Sequence, residues 1–370
     1  MKLARRDLLI GLGAVLAVGC RREGTPAEPP DRGKILGDLT TNVIVPTYSD
    51  AVTDATALEA SVKGLRDAPA ADALRAARAA WKRARATWKP SDAFRFGPAN
   101  DLGVTGNAID APPYDAAKIE AFVAGDAPID AAAIAKLGAN QKGFGGLEVL
   151  LFDRARDDDA TVAAFEVAGG RRGAMAALVA AELRTKISAV RDAWTNGYAR
   201  ELATAGRGSA TFASEHQGID IVVNALVAAA EALVALHIAA PLGIDQGGPP
   251  KPDLVESPRA DVSLDDALAE LAGIEAVYLG RRSGTPGLAL ALADAVAERS
   301  AGADSAMKTA LARADAALRA ISGPLRTAVV ERRDSVRAAY DAGREVERAL
   351  TTEVTGALGT SLGFTVTDGD

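Results

Sequence analysis

Between Leu74 and Trp88 the chain sets Leu74, Ala77, Trp81, Ala84 and Trp88 at alternating spacings of three and four. Ile219, Val222, Leu226, Ala229, Leu233 and Leu236 repeat the pattern. That spacing gathers apolar side chains onto one stripe of a helix, and a stripe needs a partner helix to cover it. The chain is 48% hydrophobic but only 4% aromatic, and its apolar share is largely alanine and leucine. Those residues favour close-packed helices over a sheet-based core. No P-loop or strand-turn-helix glycine fingerprint occurs, which disfavours a nucleotide-binding α/β fold. The expectation is an all-α protein of two tandem up-and-down helical bundles.

Taken in order, the chain is punctuated by glycine and proline. Pro46 stands near the start of a helix that reaches about Leu65. Gly97-Pro98 stops the first seam, and an irregular stretch runs from Ala99 to about Asp130. The acidic run Asp157-Asp158-Asp159 reads as a solvated turn. A helix with Trp194 on its apolar side is expected from about Gly173 to Leu202. The second seam ends at Ala240-Pro241-Leu242-Gly243, and a Pro/Gly-rich linker leads to Pro258. Ser263 with Asp266 has the spacing of a capping box. Further breaks fall near Gly284–Pro286, Gly302 and Gly323–Pro324. Gly146-Leu147-Glu148 and Gly273-Ile274-Glu275 both open helical segments after a seam, a Gly/Pro stop and an irregular connection. This weak internal repeat suggests two related halves, residues 36–170 and 171–370.

The N-terminus carries a targeting pattern. Residues 1–20 have a basic start, an apolar run from Leu8 to Val18 too short to span a bilayer, and Ala17-Val18-Gly19-Cys20. This resembles a bacterial lipobox, in which Cys20 would be lipidated and anchor the chain to a membrane. Cys20 is the only cysteine, so no intramolecular disulfide can form. Arg5-Arg6 fits either an ordinary secretory signal or a twin-arginine route. Residues 21–35 read as a flexible tether. The expected location is therefore the cell envelope, facing the periplasm. Net charge is −7 and no basic stripe with interleaved aromatics is present, so nucleic acid is not an expected partner.

Candidate chemistry centres on Asn140–Asp153, NQKGFGGLEVLLFD. Gly143, Gly145 and Gly146 let a backbone or ligand approach the first turn of a helix closely. Glu148 lies among Leu147, Leu150 and Leu151 and must find a partner there. It is either a ligand-binding group or a structural acceptor.

Several landmarks together resemble the imelysin family, which includes imelysin-like peptidases and periplasmic proteins tied to iron uptake. They are Val45-Pro46-Thr47-Tyr48, the Trp81 to Phe96-Gly97-Pro98 segment, Gly143–Phe152, Glu256-Ser257 followed by Ser263, and the C-terminal Leu362-Gly363-Phe364 with Asp368-Gly369-Asp370. The resemblance implies an all-helical fold of two bundle-like halves, an envelope location, frequent lipid anchoring and partners in iron uptake. The family motif Gly-x-His-x-x-Glu, proposed to bind metal, falls on Gly143, Gly145 and Glu148, so glycine stands where the histidine would be.

His216 and His237 are the only histidines. On one helix they would lie about 30 Å apart, at ~1.5 Å per residue, too far to share an ion. His237 reads as a partly buried polar residue or a favourable charge at a helix C-terminus. Arg95, between Phe94 and Phe96, could hold an anionic ligand or pair with Glu148. Glu256 and Ser257 occupy the corresponding connection of the second half, with a helix-capping role as the alternative for Glu256. Asp101 and Asp110 could add oxygen ligands or be solvated loop carboxylates. Trp81, Trp88 and Trp194 read as core. A ligand site would draw on Gly143, Gly145, Glu148, Arg95, Glu256 and Ser257. A metal would draw on Glu148, Glu256 and Asp101, and such an oxygen set favours iron or another hard cation over zinc. Three functions follow: a non-catalytic envelope binding protein for a metal ion or small ligand, a metal-dependent peptidase, or a structural or partner-binding lipoprotein. The missing histidine argues against the peptidase.

Overall fold

The computed structural model describes residues 31–101, 109–244, 247–282, 285 and 290–363, with the side chains of 101, 168 and 169 also outside the description. Cys20, the signal-like segment and the last residues of the C-terminal landmark lie outside it. No strand occurs among the described residues, as the two seams require.

Helix α1 (Arg32–Leu39) is capped by Asp31, whose side chain accepts the Lys34 N–H at 2.9 Å. It runs through a π-helical turn, Thr40–Ile44, into α2 (Val45–Asp67). The expected tether of 21–35 thus overlaps a helix at its end. Pro46 cannot donate to the preceding turn, and the wide π turn accommodates it without ending the helix. The seam helix α3 (Ala71–Trp88) continues as a 3₁₀ turn, Lys89–Phe94. The stretch expected to be irregular contains a helix, Ala116–Ala124, because Asp115 caps it by accepting the Lys118 N–H at 3.0 Å.

Helix α4 (Gly143–Leu151) is buried at every residue. Its last carbonyls are satisfied from outside: Arg172 donates to Val149 and Leu150, each at 3.0 Å, and Arg78 to Leu151 at 2.7 Å. Helix α5 (Asp158–Ala193) begins earlier than expected because Asp157 caps it, accepting the Ala160 N–H. Asp158, still half-exposed, also pairs with Arg78. Residue 170, where the halves are expected to meet, lies inside α5. The second seam forms α6 (Glu215–Glu231) and passes into a π-helical stretch, Ala232–Ala239, and the short helix Ala240–Leu242. Glu215–Leu242 is long and apolar enough to cross a membrane, but the core helix of a soluble protein meets the same test, and half of its most apolar window is buried in the fold.

Helix α7 (Ser263–Leu279), α8 (Ala301–Arg319) and α9 (Arg333–Arg348) complete the main elements. The expected capping box at Ser263 does not form. Its hydroxyl accepts the Ser257 N–H at 3.1 Å, and Asp266 turns to Arg85 and Ser257. The buried apolar side chains make one continuous cluster from Ile35 to Leu358. Trp81, Trp88 and Trp194 all lie in it, as expected.

Helix α7 crosses close over the 3₁₀ turn. A Cβ on Gly273 would overlap the Pro90 carbonyl oxygen, a backbone atom that cannot swing aside. Gly273→Ala is expected to destabilise the protein by about 1–3 kcal/mol. Gly356→Ala, where nothing lies within 4 Å, is expected to be neutral or to stabilise by up to ~1 kcal/mol. Urea unfolding midpoints check the pair, and equal midpoints would contradict the close approach.

Candidate functional site

The stripe of α3 that buries Trp81 and Trp88 also carries Arg85, and Lys89 and Asp92 follow on the 3₁₀ turn. Arg85 is 1% exposed, so its guanidinium must find carboxylates inside the protein. It finds three. Nη1 donates to Asp110 Oδ2 at 2.5 Å, Nη2 to Glu256 Oε1 at 2.6 Å, and Nε to Asp266 Oδ1 at 3.2 Å. Lys89 Nζ donates to Asp92 Oδ2 at 2.5 Å and to Glu256 Oε1 at 2.8 Å, and lies 3.6 Å from Glu270 Oε2. Arg95 pairs with the other oxygen of Asp92, not with Glu148.

His237, on the π-helical stretch, enters from the opposite side. Its Nδ1 lies 2.7 Å from Glu270 Oε2, and its Nε2 lies 3.6 Å from Glu256 Oε2. One ligand atom from each of His237, Glu256 and Glu270 falls within 4.8 Å of the other two. Glu256 Oε2 and Glu270 Oε1 are buried and have no hydrogen-bond partner. These groups face a cavity of about 670 Å³, whose lining also includes Asp92, Arg95, Asp110 and an alanine-rich wall from α6.

Burial opposes every charge here, and the neighbours decide the outcome. Burial works against ionisation of Glu256, yet His237, Lys89 and Arg85 hold its carboxyl well below the usual range. Asp92 is likewise lowered, by Arg95 and Lys89 against burial. Burial would neutralise His237, but Glu256 and Glu270 raise the imidazole above its ordinary value. For Asp266 burial wins over Arg85, and its carboxyl is pushed up to about 6.

The Gly143–Leu151 motif supports this site from behind. Gly143 stands at φ 66°, in the left-handed region where the chain turns into α4. A Cβ on Gly145 would enter the ring of Tyr114. Tyr114 therefore occupies the space beside the motif's histidine position, and its hydroxyl donates to Asp110. Glu148, 1% exposed, accepts the backbone N–H groups of Arg259 and Ala260 on Oε1, each at 2.8 Å. It is the structural acceptor of the two readings, and it is not among the residues lining the cavity. Its effect is to hold the connection that carries Glu256 and Ser257. Ser257 sits behind Glu256, donating to Asp266 Oδ2 at 2.5 Å.

The expected residues thus divide. Glu256, Arg95 and Asp110 meet at the cavity. Gly143, Gly145, Glu148 and Ser257 form its support. Asp101 closes a short helix, Pro98–Asp101, with its side chain outside the description. Sequence reasoning missed Arg85, Lys89, Asp92, Tyr114, Asp266 and Glu270, and did not place His237 as a ligand. A signal existed for the first three, since Trp81, Arg85, Lys89 and Asp92 continue the helical spacing on the buried side.

Gly145→Ala is expected to cost about 1–3 kcal/mol, and less in a Tyr114→Ala background. A double-mutant cycle by chemical denaturation measures that coupling, and strict additivity would separate the two residues. Burial pushes Glu148 from its ordinary 4.5 up to about 7, against the pull of the two N–H groups. A carboxyl raised on folding stabilises fully below pH 4.5, and that contribution is lost as pH rises through 7. Glu148→Gln is therefore expected to gain stability over wild type as pH rises across this window, by at most ~3 kcal/mol above it. A difference that does not change with pH would contradict the raised value.

Comparison with known proteins agrees with this architecture. Iron-regulated protein A of Synechococcus elongatus is 28% identical over 246 residues, covering 65% of this chain and 62% of that relative's length. The crystal structure of an iron-regulated protein A precursor from Parabacteroides distasonis superposes with a TM-score of 0.79 at 20% identity, over 90% of this chain and 97% of that one. An imelysin-like protein from Psychrobacter arcticum gives a TM-score of 0.70 at 20% identity, with the same coverage. The imelysin family model matches residues 44–350, a span that carries every side chain of the buried charge cluster, and the chain belongs to the imelysin family.

Proposed function

We propose that this imelysin-family chain is a non-catalytic binding protein of the bacterial cell envelope that takes a metal ion at His237, Glu256 and Glu270. One observation carries the reading: an imidazole and two carboxylates converge within 4.8 Å, and two of the carboxylate oxygens are buried without partners. Unsatisfied buried acceptors are costly, and a cation satisfies them. The imidazole adds a nitrogen to the oxygen set expected from sequence, a combination that suits iron and neighbouring transition metals. A role in iron physiology is supported by the relative named for iron regulation.

The non-catalytic reading rests on Glu148 and on the cations around the site. The motif acid that a peptidase would use as ligand or base is committed to two backbone N–H groups. Glu256 already pairs with Arg85 and Lys89. Export to the envelope, anchoring to a membrane through Cys20 and partners in iron uptake complete the proposal, supported by the lipobox-like Ala17–Cys20 and by the likeness to an iron-regulated protein precursor.

Calorimetric titration with Fe²⁺, Mn²⁺, Zn²⁺ and Mg²⁺ tests the site. One saturable site for a transition metal is expected, weakened tenfold or more (~1.4 kcal/mol) by His237→Ala and by Glu270→Gln. No saturable site in the wild type, or one indifferent to both substitutions, would overturn the assignment.

A further inference from the structure

The cavity is much larger than a metal ion needs. At ~30 Å³ per water, its 670 Å³ would hold roughly twenty waters, and its size is that of an organic-ligand pocket. One wall is Ala225, Ala228, Ala229, Ala232 and Leu236, whose side chains offer water no hydrogen bond. Three protein donors would leave roughly half of an octahedral coordination sphere open.

Charge points the same way. Glu256 Oε1 is already shared by Arg85 at 2.6 Å and Lys89 at 2.8 Å, and Lys89 lies 3.6 Å from Glu270. The two carboxylates are thus partly neutralised before any ion arrives. Asp92, Asp110, Glu256, Asp266 and Glu270 face Arg85, Lys89 and Arg95, so a divalent ion is at most balanced and a bare trivalent cation would leave buried positive charge uncompensated, an expensive state. Arg95, on the same cavity, has a buried Nε with no partner.

Resting on the metal-binding reading, we infer that the cavity takes its metal already held by an anionic, oxygen-donor organic chelator with an apolar body. The metal completes its sphere with His237, Glu256 and Glu270. The chelator's oxygens fill the open positions and supply the missing negative charge. Its apolar body lies on the alanine wall, and an anionic oxygen accepts from Arg95.

Titration of the full chain with three probes tests this: Fe²⁺ as the aquo ion, ferric citrate, and the ferric complex of 2,3-dihydroxybenzoate. The aryl complex is expected to bind at least 100-fold more tightly than the aquo ion and at least tenfold more tightly than citrate. Arg95→Gln, checked for fold by circular dichroism, is expected to weaken the aryl complex at least tenfold more than it weakens the aquo ion. Aquo-ion affinity equal to that of the aryl complex would overturn the chelate and leave the metal site standing. Citrate binding as well as the aryl complex would overturn the apolar body. Equal effects of Arg95→Gln on both probes would overturn its contact with the chelator, and binding of none of the three would bring down the metal-binding reading as well.

Discussion

The guanidinium of Arg85 is the constraint on which the rest of the site depends. It issues from α3 and reaches three carboxylates drawn from the irregular stretch after the first seam, from the connection before α7, and from α7 itself. Taking so many charges out of water is costly, and the cost is offset only when each partner is in place. A planar fork with fixed donor directions satisfies three acceptors in very few arrangements. Apolar seams alone tolerate small slides of one helix along another. A buried fork that must meet three carboxylates does not, so the same residue that charges the cavity also holds its walls in register.

Helical class and the position of the seams were legible because they depend on local spacing and on alanine and leucine content. The charge cluster was not legible as a cluster, because its members are brought together by tertiary packing across separations as large as 181 residues. Arg85, Lys89 and Asp92 continue the buried stripe, but polar residues on an apolar stripe are easily read as its edge. Glu148 was legible as a residue needing a partner. Its partners are backbone N–H groups more than a hundred residues away, and backbone groups leave no trace in residue type. The missed starts of the Ala116 helix and of α5 share a cause: an aspartate amid loop-like composition was read as loop when it was a cap.

The glycine at the motif's histidine position has a physical counterpart in the Tyr114 ring. Where a side chain at 145 would stand, an aromatic from the irregular stretch packs instead and passes a hydrogen bond to Asp110. The motif here is a scaffold: Gly145 seats Tyr114 and Asp110, while Glu148 seats the connection bearing Glu256. The convergent imidazole and carboxylates of His237, Glu256 and Glu270 lie on elements other than this motif.

His237 stands within the π-helical stretch Ala232–Ala239. Each residue in an α-helix advances the side chain by about 100° around the axis. A segment that kept α-helical register from Glu231 onward would therefore aim this imidazole at a different neighbour, taking it away from Glu256 and Glu270. The wide turn thus acts as a phase shifter. It lets a helix whose earlier turns are fixed by packing present a donor at an angle that regular winding would not reach, so a single-residue deletion in that stretch would redirect the site while leaving the apolar seam upstream untouched.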